Sequence, residues 1–431
     1  MKLKKLLAST LAVSMLLGAA PAAFAEDAAG DGLTTDNITL TFWKSPHSND
    51  EAEYWQEIID QWKEIHPNID VEFLTVAWDE VITKETAAFA ANEAPDITFQ
   101  TENFQVYAKS GYILSLEDYI SDEKKAGYTQ SALDYCSCDG ELMGIPFIAL
   151  NSVMFYNKTI FEENNIEIPT TWEEMEAAAV ALTQDKDGDG ETDQWGLMYM
   201  PAYDYWQVIS LAIQAGGNLW NENRSNIGFN NEYGLAGLTF YDKLVNEDKC
   251  TLPVSMFASE DEGLSYFYNG QVAMYPNQIQ NANTIRNNSD VDLGAFLIPS
   301  GPSDDPEHAD YNFANIGMLS VSADTKYPAE AAAFVDFATQ PEVESQYLSK
   351  VGFFSPQFAT NDLMYQDDEI MQVAAEGIEK LVVSPASDYT NVFYELSHNL
   401  GQSIALGMAT PEEALKTMDD GFFAISGEHG E

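Results

Sequence analysis

Arginine is almost missing from this chain: Arg224 and Arg286 are the only two in 431 residues. Sites for phosphate or carboxylate usually rely on guanidinium forks, so their scarcity points to a neutral ligand. Basic residues as a whole number 19 against 70 acidic ones, a formal net charge of −51. So acidic a surface argues against nucleic acid, whose affinity comes from cations on phosphates. It also disfavours anionic membranes and strongly anionic solutes, while serving solubility and salt tolerance. Histidine is thin as well, and His47, His66, His308, His398 and His429 are scattered with no ligand spacing. Three cysteines, Cys136, Cys138 and Cys250, cannot all pair, and a Cys-Ser-Cys disulfide would close a small, strained ring. Buried or free thiols are expected. No Gly-x-Ser-x-Gly elbow, His-Glu-x-x-His helix or Walker loop is present. Internal repeats and long low-complexity tracts are absent too.

What is present begins with Lys2, Lys4 and Lys5, an apolar Leu6–Ala20 run and Ala23-Phe24-Ala25. That pattern reads as a secretory signal over residues 1–25, cleaved before Glu26. The run is short for a membrane anchor, and no other segment approaches about 18 uninterrupted apolar residues. An acidic linker at 26–35 follows. The remainder exceeds what one hydrophobic core supports, so two lobes are expected.

Ile38–Trp43 alternates as a strand, and Trp55, Ile58, Ile59, Trp62 and Ile65 follow helical spacing up to the stop at His66-Pro67-Asn68. Val71–Thr75 predicts a strand, Asp79–Ala91 a helix and Pro95–Phe99 a third strand. Strands alternating with helices imply an α/β fold with an open, mostly parallel sheet flanked by helices. Ligands of such sheets bind beyond the carboxyl ends of the strands. Further helices are expected around Trp172–Thr183, Trp206–Ala215, Tyr233–Asn246 and Pro328–Thr339, with strands at Leu293–Pro299 and Ile316–Ser322.

Several segments carry a resemblance. From Met154 the chain reads Met-Phe-Tyr-Asn-Lys-Thr-Ile-Phe, then Pro169-Thr170-Thr171-Trp172 opens a helix with Glu173 and Glu174 in its first turn. Tyr107–Leu116, Phe267–Met274 and Tyr327–Phe334 follow the same family's pattern. In this order, over about Ile38 to Pro356, they resemble extracellular solute-binding protein family 1, the maltose-binding-protein-like carbohydrate-binding proteins of ABC importers. The resemblance implies a two-lobed periplasmic-binding-protein-like fold of type II with a hinge between lobes. It also implies a carbohydrate ligand, a membrane permease as partner, a monomer, and no enzyme activity. Lobe 1 is expected at 36–149 and 289–340, and lobe 2 at 150–288 and 341–431. Gram-positive members carry a lipidated Cys at the cleavage site, and none stands here, so an exported protein, periplasmic or extracellular, is expected.

Sugar recognition needs flat rings against pyranose faces, with amides and carboxylates on the hydroxyls. Trp43, Trp78, Glu102 and Asn103 follow the first three strands, where contacts are expected. Tyr203, Asp204 and Trp206 open a helix in the second lobe, and Asn277 and Asn315 sit near lobe crossings, with Phe354 a further candidate. The plainer reading of each is a buried aromatic or a loop-capping amide. Trp55, Trp62, Trp172 and Trp220 are expected to pack in the core.

Asp185, Asp187, Asp189, Glu191 and Asp193, with Gly190 at the sixth place, match the front of an EF-hand loop. Gly196 stands where the bidentate Glu belongs, so Asp193 or a distant acid must complete the shell. Oxygen donors favour Ca2+, in a structural role; the alternative is a solvated acidic turn. Two other functions fit less well: a binding protein for a cationic solute such as a polyamine or basic peptide, held by Glu102 and Asp204, and a calcium-stabilised extracellular glycosidase or lyase. With 70 acids a carboxylate pair for the latter is always available, so abundance carries no signal.

Overall fold

The computed structural model describes residues 32–101, 103–378 and 387–430. The expected signal, the linker before Gly32, and Glu102 lie outside the described residues. The principal elements are β1 (Ile38–Lys44), α1 (Glu51–Ile65), β2 (Ile69–Thr75), α2 (Trp78–Ala91), β3 (Ile97–Gln100), α3 (Phe104–Lys109), α4 (Gln130–Tyr135) and β4 (Ile145–Asn157). There follow α5 (Trp172–Leu182), β5 (Trp195–Leu197), α6 (Trp206–Gln214), β6 (Val272–Gln278), β7 (Leu293–Phe296) and β8 (Ala314–Val321). The chain ends with α7 (Pro328–Ala338), α8 (Pro341–Val351), α9 (Glu369–Ile378), α10 (Thr390–Ala405) and α11 (Pro411–Ser426).

Local chemistry explains these boundaries. Ile38, Leu40 and Phe42 turn one face of β1 inward, while Trp55, Ile58, Ile59 and Trp62 form the buried stripe of α1. The Thr171 hydroxyl caps α5 by accepting from Glu174 N at 3.3 Å. Thr410 and Glu413 close a full capping box on α11. Asn92 ends α2 at φ 54°, a left-handed conformation that asparagine tolerates.

β4 joins the two lobes. Its first half pairs with β8, Leu319 opposite Ile145 and Ala314 opposite Asn151. Its second half pairs with β6 on one side and β7 on the other. The strand order is β2-β1-β3-β8-β4-β6-β5, with β7 also on β4. Each lobe's sheet is parallel except for one strand. That strand is β8 in the first lobe and the far half of β4 in the second. Each enters its sheet from the opposite lobe and so runs against its neighbours. The carboxyl ends of the others converge on Asn151–Ser152: Gln278 faces Ser152, Phe296 faces Met154, and Gln100 faces Met318 near the start of β8. A third crossing is the bridge between Ala149 and Phe354.

The cores follow this division, one on each face of each sheet. Leu40, Phe42, Phe147 and Leu319 belong to one first-lobe cluster and Ile316 and Met318 to the other. In the second lobe, Met154 and Met274 lie on one face and Phe155 and Tyr275 on the other. Two expectations are corrected. Leu293–Phe296 does not return to the first lobe; β7 pairs with β4 in the second, because the chain recrosses only at β8. Helix α8, expected in the second lobe, packs Val343, Tyr347 and Leu348 into the first-lobe core, since the third crossing falls after it. Trp55, Trp62 and Trp172 are buried as their spacing predicts, and all three cysteines are free and buried. Among the described residues no helix is long and apolar enough to cross a membrane.

Candidate functional site

The convergence of strand ends creates a pocket. The second lobe contributes Tyr205, Trp206 and Ser210 from the start of α6, Trp220, and Thr390, Phe393 and Tyr394 from α10. Tyr135 at the end of α4 and Phe313–Asn315 at the entry to β8 supply the other wall. Trp206 stacks on Phe313 with centroids 5.6 Å apart and planes 20° from parallel. Tyr205 stands edge-on to Phe313 at 6.1 Å and leans on Tyr394 at 5.0 Å. The Tyr135 hydroxyl donates to Asn315 Oδ1 at 3.4 Å, joining α4 to the crossing strand.

Among the described residues no lysine, arginine, aspartate or glutamate lines this pocket. Lys44, the cation at the end of β1, is turned inward and fully buried. There it donates to Glu51 at 2.6 Å and lies 2.8 Å from His47 Nδ1. Burial lowers its pKa to about 8, against the pull of Glu51. The carboxyl beside the pocket is Asp204, immediately before α6. It accepts from Tyr275 at 3.0 Å and from Gln207 at 3.3 Å, and burial raises its pKa to about 7. Lys109 of the first lobe pairs with Asp388 of the second at 2.8 Å. Both are half exposed, so the pair contributes well under about 1 kcal/mol.

The sequence-predicted residues separate into three groups. Trp206 and Asn315 line the pocket, and Asp204 stands behind it. Asn277 is 2% exposed and held by Tyr275, Gln278 and Asn281. It supports Asp204 through Tyr275 and is not a pocket wall. Trp43, Trp78, Asn103 and Tyr203 lie at strand ends or loops outside the pocket lining. Trp78 is exposed, its indole N–H donating to Pro46 O at 2.7 Å, and it leans on His47. Phe354 is buried in the second-lobe core. Trp220, expected to be packing alone, does both: it lies 5.0 Å from Phe393 and lines the pocket. Tyr135, Phe313, Phe393 and Tyr394 were missed. Their signal was an aromatic beside a lobe crossing or at a helix start, a pattern too common in this chain to single out.

The acidic loop lies on the far side of α5, closed by a bridge between Gln184 and Gln194. Asp185 accepts from Gly188 N at 2.6 Å and Gly190 N at 2.9 Å, and these amides hold its carboxyl below the usual range. Oxygens of Asp185, Asp187 and Asp193 lie within 4.8 Å of one another. Asp189 and Glu191 stand outside that group, each within the turn's own hydrogen bonding. Gly196 cannot give way to glutamate, because a Cβ there would meet Ala179 O at 2.0 Å. A second group joins Asp419, Asp420 and His429, distant in sequence. There Lys416 takes Asp420 at 2.5 Å, and Asp419 anchors Asn226 at 2.8 Å.

Comparison with known proteins matches residues 46–345 to the family described as bacterial extracellular solute-binding protein. An arabinooligosaccharide-binding protein of Halalkalibacterium halodurans is 23% identical over 400 residues, covering 88% of this chain and 87% of its own. The ABC substrate-binding protein Lmo0181 of Listeria monocytogenes, solved in complex with cycloalternan, superposes with a TM-score of 0.74. It is 22% identical, with 91% of this chain and 100% of that one covered. The sugar-binding protein MalE of Xanthomonas citri gives a TM-score of 0.78 at 20% identity, with 90% and 98% covered.

Proposed function

The chain belongs to the bacterial extracellular solute-binding protein family, and on that premise we propose that it captures a neutral oligosaccharide for an ABC importer. One observation carries this reading: an uncharged aromatic pocket lies where the strand ends of both lobes meet. Trp206, Trp220 and the tyrosines offer faces for pyranose rings, while Asn315, Thr390 and Ser210 offer polar atoms to hydroxyls. Closure of the lobes on the ligand then presents one compact surface to a membrane permease. The family is extracellular, so the protein acts after export. It works as a monomer and by capture alone, without covalent chemistry. Two of the similar proteins carry sugar or oligosaccharide in their names, which supports the same class. A polyamine is disfavoured, because the described lining residues offer no carboxylate to an amine.

The test is thermal unfolding against neutral oligosaccharides, uronides and polyamines. A ligand that binds only the native state stabilises it by about 2.7 kcal/mol at a hundredfold excess over its dissociation constant. A raised midpoint with one neutral glycan class is the expected result. A shift with polyamines alone defeats the reading.

The acidic loop is proposed to hold a structural Ca2+ through Asp185, Asp187 and Asp193, with Asp189 and Glu191 in the outer turn. All-oxygen donors on a glycine-bearing turn fit a hard cation. Millimolar Ca2+ is expected to raise the unfolding midpoint, EDTA to reverse it, and Asp185→Asn to abolish the response without changing glycan affinity. An identical midpoint with Ca2+ and with EDTA rules the ion out.

A further inference from the structure

Helix α6 carries two hydrogen-bonding groups that the protein itself leaves unused. The Trp206 indole N–H and the Ser210 hydroxyl belong to residues only 4% and 6% exposed, and neither has a hydrogen-bond partner. Four residues apart, they lie one turn from each other on one face of the helix. The Trp206 N–H is near enough to Asp204 to favour its ionised form, yet no bond geometry is reached. A helical serine or threonine often returns its hydroxyl to the carbonyl four residues back. Thr183 does so to Ala179 at 2.9 Å and Thr339 to Val335 at 2.8 Å. Ser210 does not. Buried unpaired donors are costly, and here two lie on one turn of the helix.

These side chains form the wall between two cavities. In front is the aromatic pocket. Behind it is a narrow recess, lined also by Met175, Leu211, Pro276 and Ile298. The amide side chains of that recess are already engaged: Gln207 with Met200 N and Pro276 O, Gln214 with Trp172 Nε1 and Pro299 O, Asn312 with Ser152. The wall thus offers two protons in apolar surroundings. A sugar hydroxyl accepting from Trp206 and donating to Ser210 would leave the serine proton unpaired. A carbonyl oxygen takes both protons, and a methyl beside it matches Met175 and Ile298.

We propose that this recess receives the acetamido group of an N-acetylated sugar, the carbonyl oxygen accepting from Trp206 and Ser210 and the methyl entering the apolar recess. Both donor atoms are covered in this structure, so the indole turns off Phe313 as the group enters. The inference rests on the carbohydrate reading above and narrows its ligand.

Titration calorimetry of the exported chain with N,N′,N″-triacetylchitotriose and with cellotriose tests it. The two share a β-1,4 gluco backbone and differ at the acetamido position. The acetylated trimer is expected to bind at least tenfold more tightly. Ser210→Ala should weaken it at least fivefold, weaken cellotriose clearly less, and raise the ligand-free unfolding midpoint by removing the unpaired hydroxyl. Trp206→Phe keeps a ring, removes the N–H, and should erase the acetamido preference. Equal wild-type affinities, or equal losses for both trimers in Ser210→Ala, overturn the proposal. Binding of maltotriose alone, indifferent to Ser210→Ala, overturns it while leaving the carbohydrate reading standing. No binding by any glycan removes both.

Discussion

Replacing Trp206 by alanine lowers glycan affinity by about a hundredfold or more, the largest single effect expected in this protein. The indole opens α6, is held against Phe313 at 5.6 Å, and forms the wall between the pocket and its recess. An aromatic platform of this kind buries about 150–250 Å², and losing about 3 kcal/mol of contact corresponds to somewhat more than two decades in dissociation constant. Because the ring is also buried, the alanine variant loses native stability, of the order of 3–5 kcal/mol for a large-to-small change. Trp206→Phe separates the two effects by keeping a stacked ring, so affinity should fall far less than in the alanine variant. Trp220→Ala should weaken binding less, since Phe393 lines that side of the pocket as well. Calorimetry with whichever glycan raises the unfolding midpoint gives the answer. A folded Trp206→Ala protein with wild-type affinity would place the ligand elsewhere.

Stability falls as pH rises through neutrality, an unusual direction with a specific cause. Burial raises three carboxyls, Asp204 to about 7 and Glu85 and Glu344 each to about 8. Glu85 has Gln100 as its partner at 2.9 Å, and Glu344 has Ser355 and Thr360 at 2.7 and 2.6 Å, while one oxygen of each glutamate has none. In the unfolded chain the same groups ionise near their ordinary values, about 4. The folded state therefore binds more protons than the unfolded state between about pH 4 and 8. The linkage relation then makes unfolding easier as pH rises through that window. The remaining window is set by the bases: burial lowers His47 and His398, which opposes the trend below about 6.5, and Lys44 titrates near 8. Between pH 6.5 and 7.5 the loss should be on the order of 2 kcal/mol. It should be read as a midpoint falling by a few degrees. Glu344→Gln removes one of the three groups without changing shape, and should flatten the slope by about a third. A midpoint that is level or rises over this unit, or a slope untouched by Glu344→Gln, contradicts the assignment.

The first five elements were legible from the sequence because each is a local pattern with its own punctuation. Alternation gave β1, a Trp55–Trp62 stripe gave α1, and Pro95 marked the approach to β3. The EF-hand-like front was legible for the same reason, and so was the packing of Trp55, Trp62 and Trp172. Lobe boundaries were less so. β7 and α8 look like any strand and helix, and their lobe depends on where the chain crosses, which no local pattern records. Trp43 and Trp78 illustrate the same limit. Trp43 lies near the end of β1 and Trp78 opens α2 just beyond β2, where the open-sheet rule puts a ligand, yet neither lines the pocket. The rule fixes an edge, and the depth along it is set by neighbouring chains.

The sequence by itself determined an acidic chain with almost no arginine, two lobes of alternating strands and helices, and a surplus of aromatic side chains suited to a neutral ligand. These follow from composition and from periods of two and 3.6 residues, which are properties of short stretches. Only the tertiary structure decided which rings meet. Tyr135, Trp206, Trp220, Phe313 and Phe393 come from parts of the chain far apart and line one pocket because β4 runs through both sheets and β8 enters the first from the second lobe. It also decided that Lys44 turns inward, that Asp204 is desolvated, and that the Trp206 indole N–H and Ser210 hydroxyl are buried on one turn of α6. Desolvation and hydrogen-bond satisfaction depend on every surrounding atom, and that environment exists only once the chain has folded.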